Sequence, residues 1–192
     1  MVLKVVTPTT LLAEAADVLA PFREAVVVVG AAALEVALAD AQSVAITPTR
    51  DVDVVVPTDR AADIVAHLEA ADLRRSPVPH ERQFTWVRGD LKVQLVRSFH
   101  PFPKPPARGL PTNVAFGMAS KAAHQLPVAF ADDPAVLRLV CANAACLLAL
   151  KQAAFGRTRP DNDTPVERDY HDAYLLVSAA AGVPPVRWTR GR

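Results

Sequence analysis

The stretch TPTRDVDVVVP (Thr47–Pro57) sets two aspartates, Asp51 and Asp53, one residue apart at the head of a run of valines. On a β-strand side chains alternate with a period of two, so both carboxylates fall on one face. The valines behind them call for burial. Two carboxylates this close repel, and one tends to take up a proton unless something answers the charge. The usual answers are a metal ion, a basic partner, or exposure beyond the sheet edge. The stretch therefore predicts a buried strand with a charged head at the margin of the core.

Upstream, AVVVVG (Ala25–Gly30) is a short run of β-branched residues ending at a glycine, and AAALEVALAD after it has helical spacing, with Leu34 and Leu38 on one face. A glycine between strand and helix permits a tight turn. It also lets a phosphate approach the free N–H groups at the helix N-terminus. Thr9 or Thr10 can cap a first helix over about 10–20. Downstream, TDRAADIVAHLEAADL reads as an amphipathic helix with Thr58 as its cap. RQFTWVRGDLKVQLVRS reads as a hairpin turning at Arg88-Gly89-Asp90, an Arg-Gly-Asp triplet that a tight turn explains better than adhesion. The proline-rich, basic FHPFPKPPARGLP is too long for a mere connection and implies a functional or mobile loop. Residues 112–133 are ambiguous. From Pro134 to Phe155 the pattern is helical, and a last helix is expected from about Val166 to Ala181. These patterns argue α/β first and α-helical afterwards, with 1–112 as the core and 113–192 as a helical part that completes the cleft.

Composition bounds the function. The chain has 192 residues, 51% hydrophobic and 21% charged, with a net charge of +1. A sizeable core is possible, and no global field draws the chain to nucleic acid, so any anion site must be local. No apolar run approaches the roughly 20 residues of a membrane span. The opening segment carries acids within its apolar stretch, unlike a signal peptide, and a cytoplasmic location without membrane attachment is expected. Cys141 and Cys146 would stand roughly 140° apart on the expected helix, as small buried hydrophobes.

Three features carry chemistry. Asp-x-Asp at a strand end can hold Mg²⁺ through both carboxylates, with phosphate oxygens and water completing the octahedron, although a solvated strand end has the same pattern. Lys151 lies among Leu148, Ala149, Leu150 and Ala153, where an ammonium must reach water or an anion. Asp169 and Asp172, three apart on a helix, share a face and can pair with Arg168, Lys151 or Arg157.

GAAAL followed by TRDVDVVV on the next strand resembles the nucleotidyltransferase superfamily related to DNA polymerase β. LALKQAAFGRTRP followed by ERDYHDAYLL resembles its AbiE-type and MenT toxin branch. The resemblance covers about 25–58 and 145–177. It implies an α+β fold, a mixed sheet with flanking helices and a C-terminal helical part. It implies Asp51 and Asp53 as Mg²⁺ ligands, Lys151 as the triphosphate-binding lysine, and Asp169 as a later catalytic aspartate, with Asp172 as the competing alignment. Gly30, Thr49, Arg50, Arg157 and Arg168 would line the substrate site, and Thr49 is a position that an antitoxin, such as a kinase, would modify. The implied activity moves a nucleoside monophosphate from an NTP, a pyrimidine one, to RNA at the tRNA 3′ end. The sequence departs from the superfamily twice. Ala31 follows Gly30 where a serine or glycine is usual, and Gln94, with Lys92, stands where many members carry a third carboxylate. Rival readings are transfer to a small hydroxylated molecule and a degenerate nucleotide-binding domain. Arg60, Lys104, Arg108, Lys121 and Arg159 add local positive charge that suits RNA or is merely scattered over the surface.

Overall fold

The computed structural model describes residues 3–40, 49–98, 112–113, 116–155 and 165–181. Within these, nine strands form one mixed sheet: β1 (Lys4–Val6), β2 (Val27–Val29), β3 (Val52–Val56), β4 (Arg74–Arg75), β5 (Thr85–Arg88), β6 (Leu91–Ser98), β7 (Thr112–Asn113), β8 (Gln125–Phe130) and β9 (Leu139–Ala142). Their order is β1-β8-β9-β2-β3-β6-β5-β4, with β7 pairing alongside β6. Six helices accompany them: α1 (Thr10–Leu19), α2 (Gly30–Ala37), α3 (Ala61–Ala70), α4 (Phe116–Ala119), α5 (Ala144–Phe155) and α6 (Pro165–Ala180). The expected α+β architecture is present: a mixed sheet, flanking helices, and a final helical pair.

The valine runs explain the middle of the sheet. Val27, Val28 and Val29 of β2 are buried, as are Val52, Val54, Val55 and Val56 of β3. A strand with neighbours on both edges and layers on both faces has no wet side, so its sequence does not alternate. Each fully buried valine contributes roughly 1.5–3 kcal/mol, which is why these two strands sit at the centre. Helix α1 starts as its sequence predicts, with the Leu12 N–H donating to Thr9 Oγ1 at 3.3 Å. It packs on β3 and β6. His67 of α3 hydrogen-bonds the Val18 carbonyl at 2.8 Å and so ties α3 to α1. Helix α2 packs on β2, β3 and β9, and α5 packs on α2, α4 and α6. The hairpin also forms: Arg88 pairs with Leu91, and Gly89 takes a φ of +56° in the turn between them.

Three expectations need correction. The helix expected from Pro134 begins only at Ala144, and Leu139–Ala142 is instead strand β9, parallel to β2 and antiparallel to β8. A short apolar run has no periodicity that separates a buried strand from a buried helix, and here the sheet claims it. The boundary is a cap: the Cys146 N–H donates to Asn143 Oδ1 at 3.0 Å. Cys141 therefore lies on a strand and only Cys146 on a helix. Both are free and buried, and burial pushes the Cys141 thiol up to about 12 and the Cys146 thiol up as well. Thr58 is not at the cap position of α3. The helix starts later, with Arg60 at the cap position and no side-chain cap bond. The ambiguous stretch 112–133 contributes β7, α4 and β8, so strands from both parts of the chain share the sheet. The loop FHPFPKPPARGLP, with Lys104 and Arg108, lies outside the described residues.

Candidate functional site

Strands β2 and β3 run antiparallel, and Val29 pairs with Asp53. The chain leaves β2 at Val29 and enters α2 at Gly30, whose φ is +68°. That is the left-handed region, open to glycine at little cost. Space demands glycine as well: a Cβ at this position would overlap Asp53 Oδ2 and stand 3.1 Å from Asp53 Cγ. The Asp53 carboxylate thus lies directly against the first residue of α2, where unpaired N–H groups and the helix dipole favour negative charge.

Asp51 precedes the first residue of β3, and Asp53 is the second residue of that strand. Strand β6 lies parallel beside it, with Gln94 in register with Asp53. Registered neighbours point to the same side of a sheet. Gln94 Nε2 donates to Asp51 Oδ2 at 2.8 Å, so Asp51 lies on the side that Asp53 and Gln94 share. The period of two expected from the sequence is therefore what the strand delivers. Thr49 holds Asp51 from the other direction. Its hydroxyl contacts the Asp51 carbonyl at 2.7 Å and Oδ1 at 3.2 Å, and the Asp51 N–H lies 3.4 Å from Thr49 Oγ1. A third acid, Glu35, stands on α2: burial raises its carboxyl above the ordinary range, against a smaller lowering by the Thr49 backbone. Glu35 escaped the sequence reading. The signal was there, because it is the sole charged residue of GAAALEVA and stands between Leu34 and Val36, both buried.

Lys151 and Asp172 meet between α5 and α6. Their side chains are 17% and 6% exposed, and Lys151 Nζ lies 2.7 Å from Asp172 Oδ2. Of the two late aspartates, Asp172 is the one placed against the lysine. The side chains of Arg168 and Asp169 lie outside the described residues, as does Arg157. Arg50 is exposed beside the aspartates in sequence. Arg60 turns away to Asp63, at 3.3 Å, and over the Phe22 ring. The lysine's helix packs on α2, the helix that Gly30 opens.

Among the described residues no cluster of three His, Cys, Asp or Glu side chains is set to hold a metal. The donor set does fit a hard divalent cation: two carboxylates on one side of a strand and a Gln amide whose oxygen can coordinate. Such an ion takes several oxygens from water or phosphate, so two protein carboxylates are a complete protein share for Mg²⁺.

No protein-family model and no curated protein matches the chain. Solved structures do. The crystal structure of ANT(2″)-Ia in complex with adenylyl-2″-tobramycin superposes with a TM-score of 0.52 and 15% identity, over 90% of each chain. The solution structure of the antibiotic-resistance factor ANT(2″)-Ia gives 0.53 and 16%, over 91% of this chain and 86% of that one. At this identity the likeness is one of fold, and it extends over nearly the whole chain rather than over the sheet alone.

Proposed function

We propose that the chain is a Mg²⁺-dependent nucleotidyltransferase that moves a nucleoside monophosphate from an NTP, a pyrimidine one, to a hydroxyl of RNA at the tRNA 3′ end. We propose further that it acts as the toxin of a toxin–antitoxin pair. The observation that carries the transfer reading is the Gly30–Asp53 contact. A strand-to-helix turn is kept bare of side chain so that a carboxylate can sit beside free helix N–H groups, with a second carboxylate on the same side.

In this reading Asp51 and Asp53 hold the ion, and Gly30 leaves the start of α2 open to phosphate oxygens. Bound Mg²⁺ supplies charge neutralisation at the triphosphate and favours the deprotonated acceptor hydroxyl. Lys151, beside Asp172, would place a point charge near the triphosphate, with Arg50, Arg157 and Arg168 as further positive charge. The acceptor oxygen bonds to the α-phosphorus, the α–β bridging bond breaks, and pyrophosphate leaves. Gln94 cannot take the hydroxyl proton, so Asp169 on α6 is assigned that role.

The acceptor follows from the motif order Lys151…Arg157…Arg168-Asp169…Asp172, which supports the toxin branch. A second reading, transfer to a small hydroxylated molecule, is favoured by the solved neighbours, one of which holds an adenylylated aminoglycoside. One experiment separates them. The protein is incubated with Mg²⁺ and each labelled NTP in turn, with total tRNA in one arm and tobramycin or kanamycin in the other. Label in tRNA, with arrested growth on expression, upholds the first reading. Label only in the aminoglycoside replaces it with the second. Label in neither arm, and no pyrophosphate released, sinks the transferase reading as stated.

A further inference from the structure

Resting on that reading, the structure carries one inference about a hydroxyl to which no role has so far been given. The side of the sheet that bears the carboxylates continues as a row across three strands. Asp53 on β3 is in register with Gln94 on β6, and Gln94 with Thr85 on β5. Registered neighbours share a side, so Gln94 stands between the carboxylates and Thr85. One place on, the Leu95 N–H donates to the Phe84 carbonyl at 2.8 Å, which makes that facing pair a hydrogen-bonded one. Gln94 and Thr85 are then a pair of the other kind, where side chains approach more closely, with Cβ atoms roughly 4.5–5.5 Å apart. Thr85 is held from its other edge: its N–H donates to the Glu81 carbonyl and its carbonyl accepts from the Ser76 N–H, each at 2.9 Å. It is fully buried, and among the described residues its Oγ1 has no hydrogen-bond partner.

Gln94 turns the wrong end of its amide to the aspartates for a metal ligand. An ionised carboxylate only accepts, so the 2.8 Å contact sets the Gln94 nitrogen, not its oxygen, on Asp51 Oδ2. A cation gains nothing from that nitrogen. We propose that Thr85 is a positioning residue for Gln94. As the carboxylates take up the cation, Gln94 lets go of Asp51, gives its N–H to Thr85 Oγ1 and turns its oxygen toward the aspartates. A buried hydroxyl without a partner weighs against the fold. Here it keeps an acceptor ready on the far side of Gln94 from the ion. A group that orients a metal ligand from behind typically changes metal affinity by about 10–100-fold when removed.

The test compares the native chain with Thr85→Val, Thr85→Ser, Gln94→Ala and the double variant Thr85→Val/Gln94→Ala. Titration calorimetry gives Mn²⁺ affinity, and melts without metal give thermal midpoints. The Gln94 side-chain amide resonance, assigned by its loss in Gln94→Ala, is followed with and without Mg²⁺. Valine keeps the shape of threonine and drops the hydroxyl, while serine keeps the hydroxyl. Thr85→Val should raise the metal-free midpoint by about 2–4 °C and yet weaken Mn²⁺ about tenfold. A residue that only packs would not move the two in opposite directions. Thr85→Ser should stay within about twofold of native affinity. Mg²⁺ should shift the Gln94 resonance in the native chain and fail to bring it to the same position in Thr85→Val. The double variant should bind no worse than Gln94→Ala alone, because Thr85 acts through Gln94. Native affinity or a lowered midpoint in Thr85→Val, a Thr85→Ser variant as weak as Thr85→Val, a Gln94 resonance indifferent to Mg²⁺, or additive losses in the double variant each overturns the positioning role while leaving the transferase reading in place. Absence of Mn²⁺ binding by a well-folded native protein overturns both.

Discussion

The head of β3 and the seam between α5 and α6 both hold aspartates, in different company. At the seam a lysine meets an aspartate, both largely buried, and the charge is cancelled within the protein. At the strand head two aspartates sit on one side of the sheet. Asp51 meets an amide and a hydroxyl, and Asp53 lies against the start of a helix. The first arrangement is held together by an ion pair at 2.7 Å. In the second, the proposed function calls for a cation from outside.

The largest expected effect breaks the strand head. Asp51→Asn or Asp53→Asn should lower nucleotide transfer by about 10³-fold or more, the scale of losing a charge-stabilising group. The metal-free thermal midpoint should hold or rise, because removing one carboxylate relieves repulsion with the other. Transfer assays beside thermal melts check this. A midpoint that falls sharply without transfer loss would make the pair a structural device like the seam.

The seam should behave in the opposite way. Lys151→Ala takes the lysine from a buried Asp172, and breaking such a pair costs about 3–5 kcal/mol, toward the low end here because the lysine is partly exposed. Urea unfolding measures it. A Lys151→Met/Asp172→Leu double variant should recover most of the loss, since an apolar pair of similar volume often replaces a buried ion pair without penalty. If transfer stays lost in that refolded double variant, Lys151 also serves the triphosphate.

Gly30→Ala tests the join between strand head and helix. The positive φ alone costs roughly 1–3 kcal/mol, and the overlap with Asp53 Oδ2 adds to it. Combining Gly30→Ala with Asp53→Ala should remove the steric part and leave the backbone part. A fully additive cycle by urea unfolding would mean that Gly30 and Asp53 do not touch.

What the sequence disclosed follows the same division. The β2–α2–β3 unit was legible because each of its signals is local: a valine run, a glycine, a period of two. The hairpin at Gly89 and the capped start of α1 were legible for the same reason. Strand β9 was not, because Leu139–Ala142 is a strand only by virtue of β2 and β8 beside it, 110 and about 15 positions away in the chain. Asn143 was its one local marker, a cap that separates Cys141 from Cys146. The pairing of Lys151 with Asp172 was open among several partners, since helix periodicity fixes a face and not a neighbour. Glu35 was missed although the argument used for Lys151, a charge in an apolar helix, applies to it without change.

The smallest expected effect concerns that same glutamate, and it sharpens the comparison by asking which kind of buried charge it is. Burial raises the Glu35 carboxyl above its ordinary 4.5, partly opposed by the Thr49 backbone. The folded state therefore prefers the protonated form more than the unfolded chain does. For a group raised in this way, the stabilising contribution is fully present below the unfolded value. It is lost as pH rises through the folded one. At neutral pH the native protein carries a charge that the unfolded chain would solvate better. Glu35→Gln keeps the shape of the side chain and removes the charge. It should thus raise the thermal midpoint at pH 7.5 by about 1–2 °C, a small shift for a chain of this size. The gain should close below pH 4.5, where the native acid is protonated too. Melts of the two proteins across pH 4–8 follow the difference. A gap that stays constant with pH would show that Glu35 is not strained by its burial. A gap of opposite sign at pH 7.5 would place Glu35 with Asp172, as a charge answered inside the protein.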